Sequence, residues 1–386
     1  MIGRKMELET LLAATVESGA SDLFLKTGAP PAFRVDGLLR RDILPKEQRA
    51  EAATADFMTQ ALATVLDEDD QKAFHSEGEA DAAYEVPELG RFRVNAFRQR
   101  GQAGLVFRYL LKVIPKLEDL NLPVAPLESL CSRRRGLVLV TGVAGSGKTT
   151  CLAAMVDYIN ATFRRHIVTI EDPIEYVYQD KRSLIEQREI GRDTHSFAAA
   201  LKHCVRQSPD VILIGEMRDA ETMEAALSAA ETGHLVFSTL HTVNAVQTVE
   251  RIMGYFPPYL HPLIRMELAM VLEGVVSLRL LRRSGEAGRL PAVELLMATP
   301  TTRDLLQQGR TRQLPAALRD GAYYGAQTFG QSLKHLMDEG LITEEEALAA
   351  ADNPEDLKLE LKGITRSVDT RPQRPSGAAD EEGPQR

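Results

Sequence analysis

The stretch Gly136-Leu-Val-Leu-Val-Thr-Gly-Val-Ala-Gly-Ser-Gly-Lys-Thr-Thr150 constrains this chain more than any other, because it joins an apolar strand to a turn suited to anions. Leu137 to Val140 reads as a buried strand, and Cys151 to Ile159 as a helix. Between them, Gly142 to Thr149 satisfies the spacing G-x-x-x-x-G-K-[ST], and a further glycine at 145 lets the backbone curl tightly. The N–H groups of such a loop point inward and act with the positive end of the following helix, so phosphates meet oriented donors. A glycine-rich turn alone would be a simple chain reversal. Strand, full spacing and helix together imply that ATP or GTP is bound. The candidate nucleotide-binding residues are Gly142, Val143, Ala144, Gly145, Ser146, Gly147, Lys148, Thr149 and Thr150. Lys148 would reach the terminal phosphates, and the Thr149 hydroxyl would ligate Mg2+.

With 386 residues, 44% hydrophobic and 26% charged, the chain suits two or three globular domains. The net charge of -9 argues against a protein devoted to coating nucleic acid, which is demoted as a partner. The 3 cysteines, at 131, 151 and 204, have neither zinc-site spacing nor the even count of a disulfide framework, and fit a reducing cytosol. Met1 to Glu9 has no apolar core of signal-peptide length, and charges interrupt every later apolar run, including Met266 to Leu281. A cytoplasmic protein that meets a membrane through a partner is expected.

Glu7 to Ser18 reads as an amphipathic helix stopped by Gly19, followed by a meander through Ser21–Leu25, Ala32–Val35 and the Asp36-Gly37 turn. After a helix around Gln48 to Leu66, strands Arg91–Phe97 and Gly104–Arg108 complete a small α+β domain over residues 1–112. Prolines 115, 123 and 126 mark 113–134 as a linker with short helices. From Arg135 onward, the apolar runs Leu137–Val140, Ile167–Ile170, Val211–Ile214 and Leu235–Leu240 alternate with helical patterns, which predicts a mostly parallel α/β sheet. Ser196 caps one expected helix, and another covers Ala220 to Glu231. The remainder to about Leu361 reads as helical, with a helix start at Thr343, and 365–386 as a disordered tail.

Ligands of an open α/β sheet collect beyond the carboxyl ends of its strands. After Ile170 comes Glu171-Asp172-Pro173-Ile174-Glu175, which parks carboxylates at the phosphate edge. After Ile214 comes Gly215-Glu216, where Glu216 would hold Mg2+ through water. Glu175 is the candidate for orienting or deprotonating an attacking water, and spacing leaves Glu216 and Asp172 open for that role. His234 and His241 lie seven strand steps apart, roughly 23 Å, so only His241, at the carboxyl end, can sense the terminal phosphate. Arg93 and Arg108 are candidates to neutralise phosphoryl charge, and if supplied by a neighbouring subunit they would link hydrolysis to subunit movement, with Arg251 a weaker candidate.

Four blocks resemble the type IV pilus retraction (twitching motility) ATPases, the PilT/PilU family of secretion-type motor ATPases. They are Gly142–Thr150, Thr169-Ile-Glu-Asp-Pro-Ile-Glu-Tyr176, Gln207-Ser-Pro-Asp-Val-Ile-Leu-Ile-Gly-Glu-Met-Arg-Asp219, and Ala230-Glu-Thr-Gly-His-Leu-Val-Phe-Ser-Thr-Leu-His-Thr242. Gly19–Phe24, Gly28–Pro31 and Gly90–Phe97 match the family's first domain. The resemblance covers roughly residues 5–364 and implies a PAS-like N-terminal domain and a RecA-like P-loop ATPase domain over 135–364. It further implies a hexameric ring working on an inner-membrane platform protein, with a paralogous retraction ATPase as a further partner. It matches Glu175 to a catalytic glutamate, Glu216 to the Walker B glutamate, and Arg93 and Arg108 to arginines facing the nucleotide. The assembly and type II secretion relatives usually carry a four-cysteine zinc module, which this chain lacks. Where retraction proteins often carry A-I-R-N-L-I, this chain has Thr301-Thr-Arg303-Asp-Leu-Leu306, which leans towards the accessory PilU-like form. The rival readings are a pilus assembly or type II secretion ATPase, and an ATP-binding regulatory subunit with little turnover.

Overall fold

A computed structural model describes residues 6–46, 48–110, 113–285 and 288–361. The tail expected at 365–386 lies outside the described residues.

The first half is an antiparallel sheet covered by helices. Helix α1 (Leu8–Glu17) leads into strands β1 (Asp22–Lys26), β2 (Ala32–Val35) and β3 (Leu38–Arg40). The β2–β3 turn has Asp36 at φ 49° and Gly37 at φ 82°, the left-handed pair that a tight hairpin requires. Helices α2 (Ala55–Val65) and α3 (Glu68–Glu77) precede β4 (Glu79–Val86), β5 (Gly90–Gln99) and β6 (Gln102–Leu110). The sheet order is β3-β2-β1-β6-β5-β4. Its core gathers Leu12, Leu23, Phe33, Phe92 and Phe107 with Phe57 and Met58 of α2.

The helix expected from Gln48 starts only at Ala55. Backbone groups of Ala53 pair with Gly28 and Ala29, which holds that stretch extended, and Thr54 then caps the helix by accepting from the Phe57 N–H at 3.1 Å. Strand β4 and helix α3 were not expected. The strand buries mainly small residues, Ala80 and Ala82, and the helix buries Phe74 alone, so neither has a strong periodic signature.

The second half follows α4 (Val124–Ser132) with β7 (Gly136–Thr141), α5 (Lys148–Thr162), β8 (His166–Glu171), β9 (Leu184–Glu189), α6 (Phe197–Cys204) and β10 (Val211–Ile214). Next come α7 (Ala220–Glu231), β11 (Leu235–Leu240), α8 (Ala245–Gly254), α9 (His261–Val271), β12 (Leu272–Arg282) and β13 (Arg289–Met297). Among the described residues five short helices follow: α10 (Pro300–Gln307), α11 (Leu314–Asp320), α12 (Phe329–Asp338), α13 (Glu344–Ala350) and α14 (Pro354–Leu361). The sheet order is β13-β12-β7-β11-β10-β8-β9, parallel except for the β12–β13 hairpin. Alternate strand residues feed two cores. Leu137, Leu139, Ile212 and Ile214 face α6 to α9, whereas Val138, Val140, Val211 and Leu213 face α4 and α5. The segment expected as a linker thus carries a helix, α4, whose Leu127, Leu130 and Cys131 are buried in the second of these cores.

The expectation that the chain is helical from α8 onward fails at β12 and β13. Helix α9 ends at Val271 and β12 begins at Leu272 with no turn residue between them, so one apolar run spans both elements. In β13, Pro291 speaks against a strand unless the strand is at an edge, which is where β13 lies.

Glu294 on β13 is buried, and accepts from the Ala245 N–H at the start of α8 at 2.8 Å. Burial pushes its carboxyl up to about 7, against that hydrogen bond. A carboxyl raised on folding takes up protons as the chain folds, so stability falls as pH rises from the ordinary value of 4.5 towards 7. Glu294→Gln keeps the acceptor and removes the charge. Its stability relative to wild type, measured by urea unfolding, should rise by about 1–3 kcal/mol between pH 5 and 8.

Candidate nucleotide-hydrolysis site

Parallel pairing sets the ends of four strands side by side. Thr141 of β7 pairs with Leu240 of β11, while Ile214 of β10 pairs with Ser238 of β11 and Ile170 of β8. Residues just beyond those ends therefore share one cavity, lined by Lys148, Thr149, Glu171, Asp172, Glu175, Glu216 and His241 among others.

The phosphate loop is built from glycines in backbone conformations that side chains avoid. Gly142, Gly145 and Gly147 have φ of 147°, 75° and 92°. A methyl group on Gly142 would meet the Ser146 hydroxyl and come within 2.6 Å of the Leu278 carbonyl oxygen. Ser146 Oγ is buried with no hydrogen-bond partner among the described residues. Gly145, Lys148 and Thr149 line the cavity where α5 begins, and loop N–H groups at a helix N-terminus fit a phosphate ligand. Lys148 is buried, and its ammonium donates to the carbonyls of Gly142 at 2.9 Å and Val143 at 3.0 Å. Desolvation lowers its pKa, while the charges of Glu216 and Glu175 oppose that shift. Thr150 Oγ1 lies 3.1 Å from the Tyr176 hydroxyl, which ties the first turn of α5 to the segment after Glu175.

The acidic residues divide by environment. Glu171 is buried, accepts from Thr169 Oγ1 at 2.6 Å and Gln187 Nε2 at 3.2 Å, and is driven by burial up to about 7. Its oxygen is engaged in holding β8 to β9. Burial also raises Asp172, against the charges of Arg218 and Arg93. Glu175 lies 3.9 Å from Arg93. Glu216 is paired with Arg218 and sits 3.4 Å from His241 Nε2.

Arg93 and Arg108 both line the cavity of their own chain. They are cross-strand partners on β5 and β6, and ion pairs Arg91–Glu189 and Arg192–Asp67 hold that sheet against the β8–β9 edge. Arg108 also bonds Asp22 at 2.9 Å. Arg251 does not join the site, since its guanidinium lies over the Tyr255 ring. His234 is at the far end of β11, with Nδ1 2.9 Å from the Ala229 carbonyl oxygen. Arg218, Tyr176 and Asp81 were missed as members of the site. Arg218 directly follows Glu216-Met217 and could have been found there. Asp81, 3.8 Å from Arg93, lies on a strand with no sequence signal.

The sequence profile of the family described as "Type II/IV secretion system protein" matches residues 4–321. PilT, a type IV pilus retraction ATPase of Pseudomonas aeruginosa, is 43% identical over 350 residues, 91% of this chain and 99% of that protein. The chain belongs to the family of type IV pilus retraction ATPases. PilU, a type IV pilus ATPase of the same organism, is 41% identical, with 92% of each chain covered. A crystal structure of the pilus retraction motor PilT with bound ADP superposes with a TM-score of 0.81 at 42% identity, covering 92% of this chain and 99% of that one. As in the other retraction ATPases, the mixed α/β fold carries a nucleotide-binding domain.

Gly142→Ala should abolish the cradle. Backbone strain of about 1–3 kcal/mol, together with displacement of Ser146, predicts at least a roughly tenfold weaker Kd for a fluorescent ATP analogue, with the protein still folded by circular dichroism.

Proposed function

We propose that this chain is an ATP-hydrolysing motor that retracts and depolymerises a type IV pilus, working as a hexameric ring on an inner-membrane platform protein, with a paralogous retraction ATPase as a further partner. The observation that carries this reading is the meeting of Lys148, Glu175 and Glu216, from three strand ends, around one cavity in a chain that aligns with a retraction ATPase over 91% of its length. No described helix is long and apolar enough to cross a membrane, which suits a motor held at the cytoplasmic face of the inner membrane by its machine.

Bound ATP with Mg2+ supplies the activated phosphoryl group. Lys148 and the loop N–H groups hold the phosphates, and Thr149 and Glu216 are the residues that would hold Mg2+, Glu216 through water, because magnesium gives up its waters reluctantly. Glu175 orients the attacking water and takes its proton. Arg93, Arg108 and Arg218 offset the negative charge that develops, and His241, beside Glu216, reads the state of the terminal phosphate.

Lys148→Ala and Glu175→Ala should each lower ATP hydrolysis by about 100-fold or more. Wild-type turnover in either variant would overturn the site assignment. Deleting the gene should leave cells with surplus surface pili and no twitching. Bald cells would instead identify an assembly motor.

A further inference from the structure

Beside the hydrolysis site, at the end of β9, the buried carboxylate of Glu189 joins three segments. Its Oε2 accepts from the Ile174 N–H at 3.0 Å and from Arg91 Nη2 at 3.2 Å, and its Oε1 lies 3.2 Å from Arg192 Nε. Ile174 immediately precedes Glu175. Arg91 belongs to β5 of the first domain, and Arg192 reaches back to Asp67, the residue that caps α3 of that domain. Side chains two apart on a strand share a face, so β5 presents Arg91 to Glu189 and Arg93 to Glu175 from one rigid edge.

We infer that Glu189 is a positioning residue through which the first domain sets the placement of Glu175, so that hydrolysis is fast only while Arg91 is docked. The inference rests on the reading of Glu175 as the group that activates water. Among the described residues, Glu189 is the carboxylate that bonds both β5 and the backbone next to Glu175. Withdrawing Arg91 leaves Arg192, on Oε1, as the remaining countercharge, which draws the carboxylate away from the Oε2 side where it holds the Ile174 N–H. Gln187, two residues earlier on β9, bonds the Tyr176 carbonyl oxygen and the Tyr178 N–H at 2.8 Å each. The far side of the Glu175 segment is thereby anchored to β9 independently of the first domain. Only the near side, at Ile174, responds to domain position.

The test compares the full-length variants Glu189→Gln, Arg91→Ala, their double mutant and Glu175→Ala by steady-state ATPase kinetics, nucleotide binding and thermal melting. Glutamine keeps an acceptor for the Ile174 N–H and loses the charge that recruits Arg91. The expected result is that Glu189→Gln and Arg91→Ala each lower kcat by about tenfold, with the Kd for ATP within about twofold of wild type, and that the double mutant is no slower than either single one. A purely structural tether would lower the melting temperature and leave kcat per folded molecule unchanged, and that outcome overturns the inference. Should Glu189→Gln fail to fold, the kcat of Arg91→Ala decides alone. Wild-type turnover by Glu175→Ala would sink the site reading itself. An inactive Glu175→Ala beside fully active Glu189→Gln and Arg91→Ala would sink only the role of Glu189.

Discussion

The chemistry of this protein depends on the parallel register of β7, β11, β10 and β8. Each strand is buried on both faces, and its alternate residues belong to two different cores. A slip of one residue would exchange the faces of a whole strand, turning Val138 and Val140 towards the helices that pack on Leu137 and Leu139. The packing that stabilises the sheet therefore also fixes where the phosphate loop, Glu175, Glu216 and His241 emerge. Site geometry needs no separate scaffold, because it follows from burying Val, Ile and Leu side chains correctly.

Within that frame, the site is rich in opposed charges. Arg218 answers to Glu216, Asp172 and Asp81, while Arg93 lies between Asp81 and Glu175. A polyphosphate entering such a cavity competes with carboxylates for the same cations. Lys148, Arg93 and Arg218 are held by carbonyls or carboxylates, and each must exchange such a partner to bond a phosphate oxygen. Such an exchange takes Arg93 from Glu175 and Arg218 from Glu216.

Much of this was legible in the sequence where periodicity and spacing are strong. The phosphate loop, the four apolar strands and the helices α6, α7 and α13 stand where apolar runs, Ser196, the Ala220–Glu231 pattern and Thr343 place them. Elements that are half polar left no such trace. Strand β9 reads Leu-Ile-Glu-Gln-Arg-Glu, and its value lies in Gln187 and Glu189, which hold the Glu175 segment through backbone groups that no residue pattern reveals. Strand β12 was hidden for the opposite reason, because its apolar residues run on from α9 without a break. Arg93 and Arg108 were legible as candidates but their place in the cavity of their own chain was not, because sequence distance says nothing about where the β5–β6 sheet sits.

That docking alters how force and chemistry can be linked. With Arg93 and Arg108 on adjacent strands of one sheet, and Asp22 holding Arg108 at 2.9 Å from a third, the first domain presents its cations as a unit. Moving that sheet by the length of a hydrogen bond changes the charge around Glu175 and the pairing of Glu189 together, because both contacts run through β5. Displacing that sheet alters the field in the cavity without any further residue entering it, since Arg93 and Arg108 line the cavity themselves. By the same coupling, a change of charge in the cavity alters the hold on Arg93, so the position of the sheet and the charge it meets are linked in both directions.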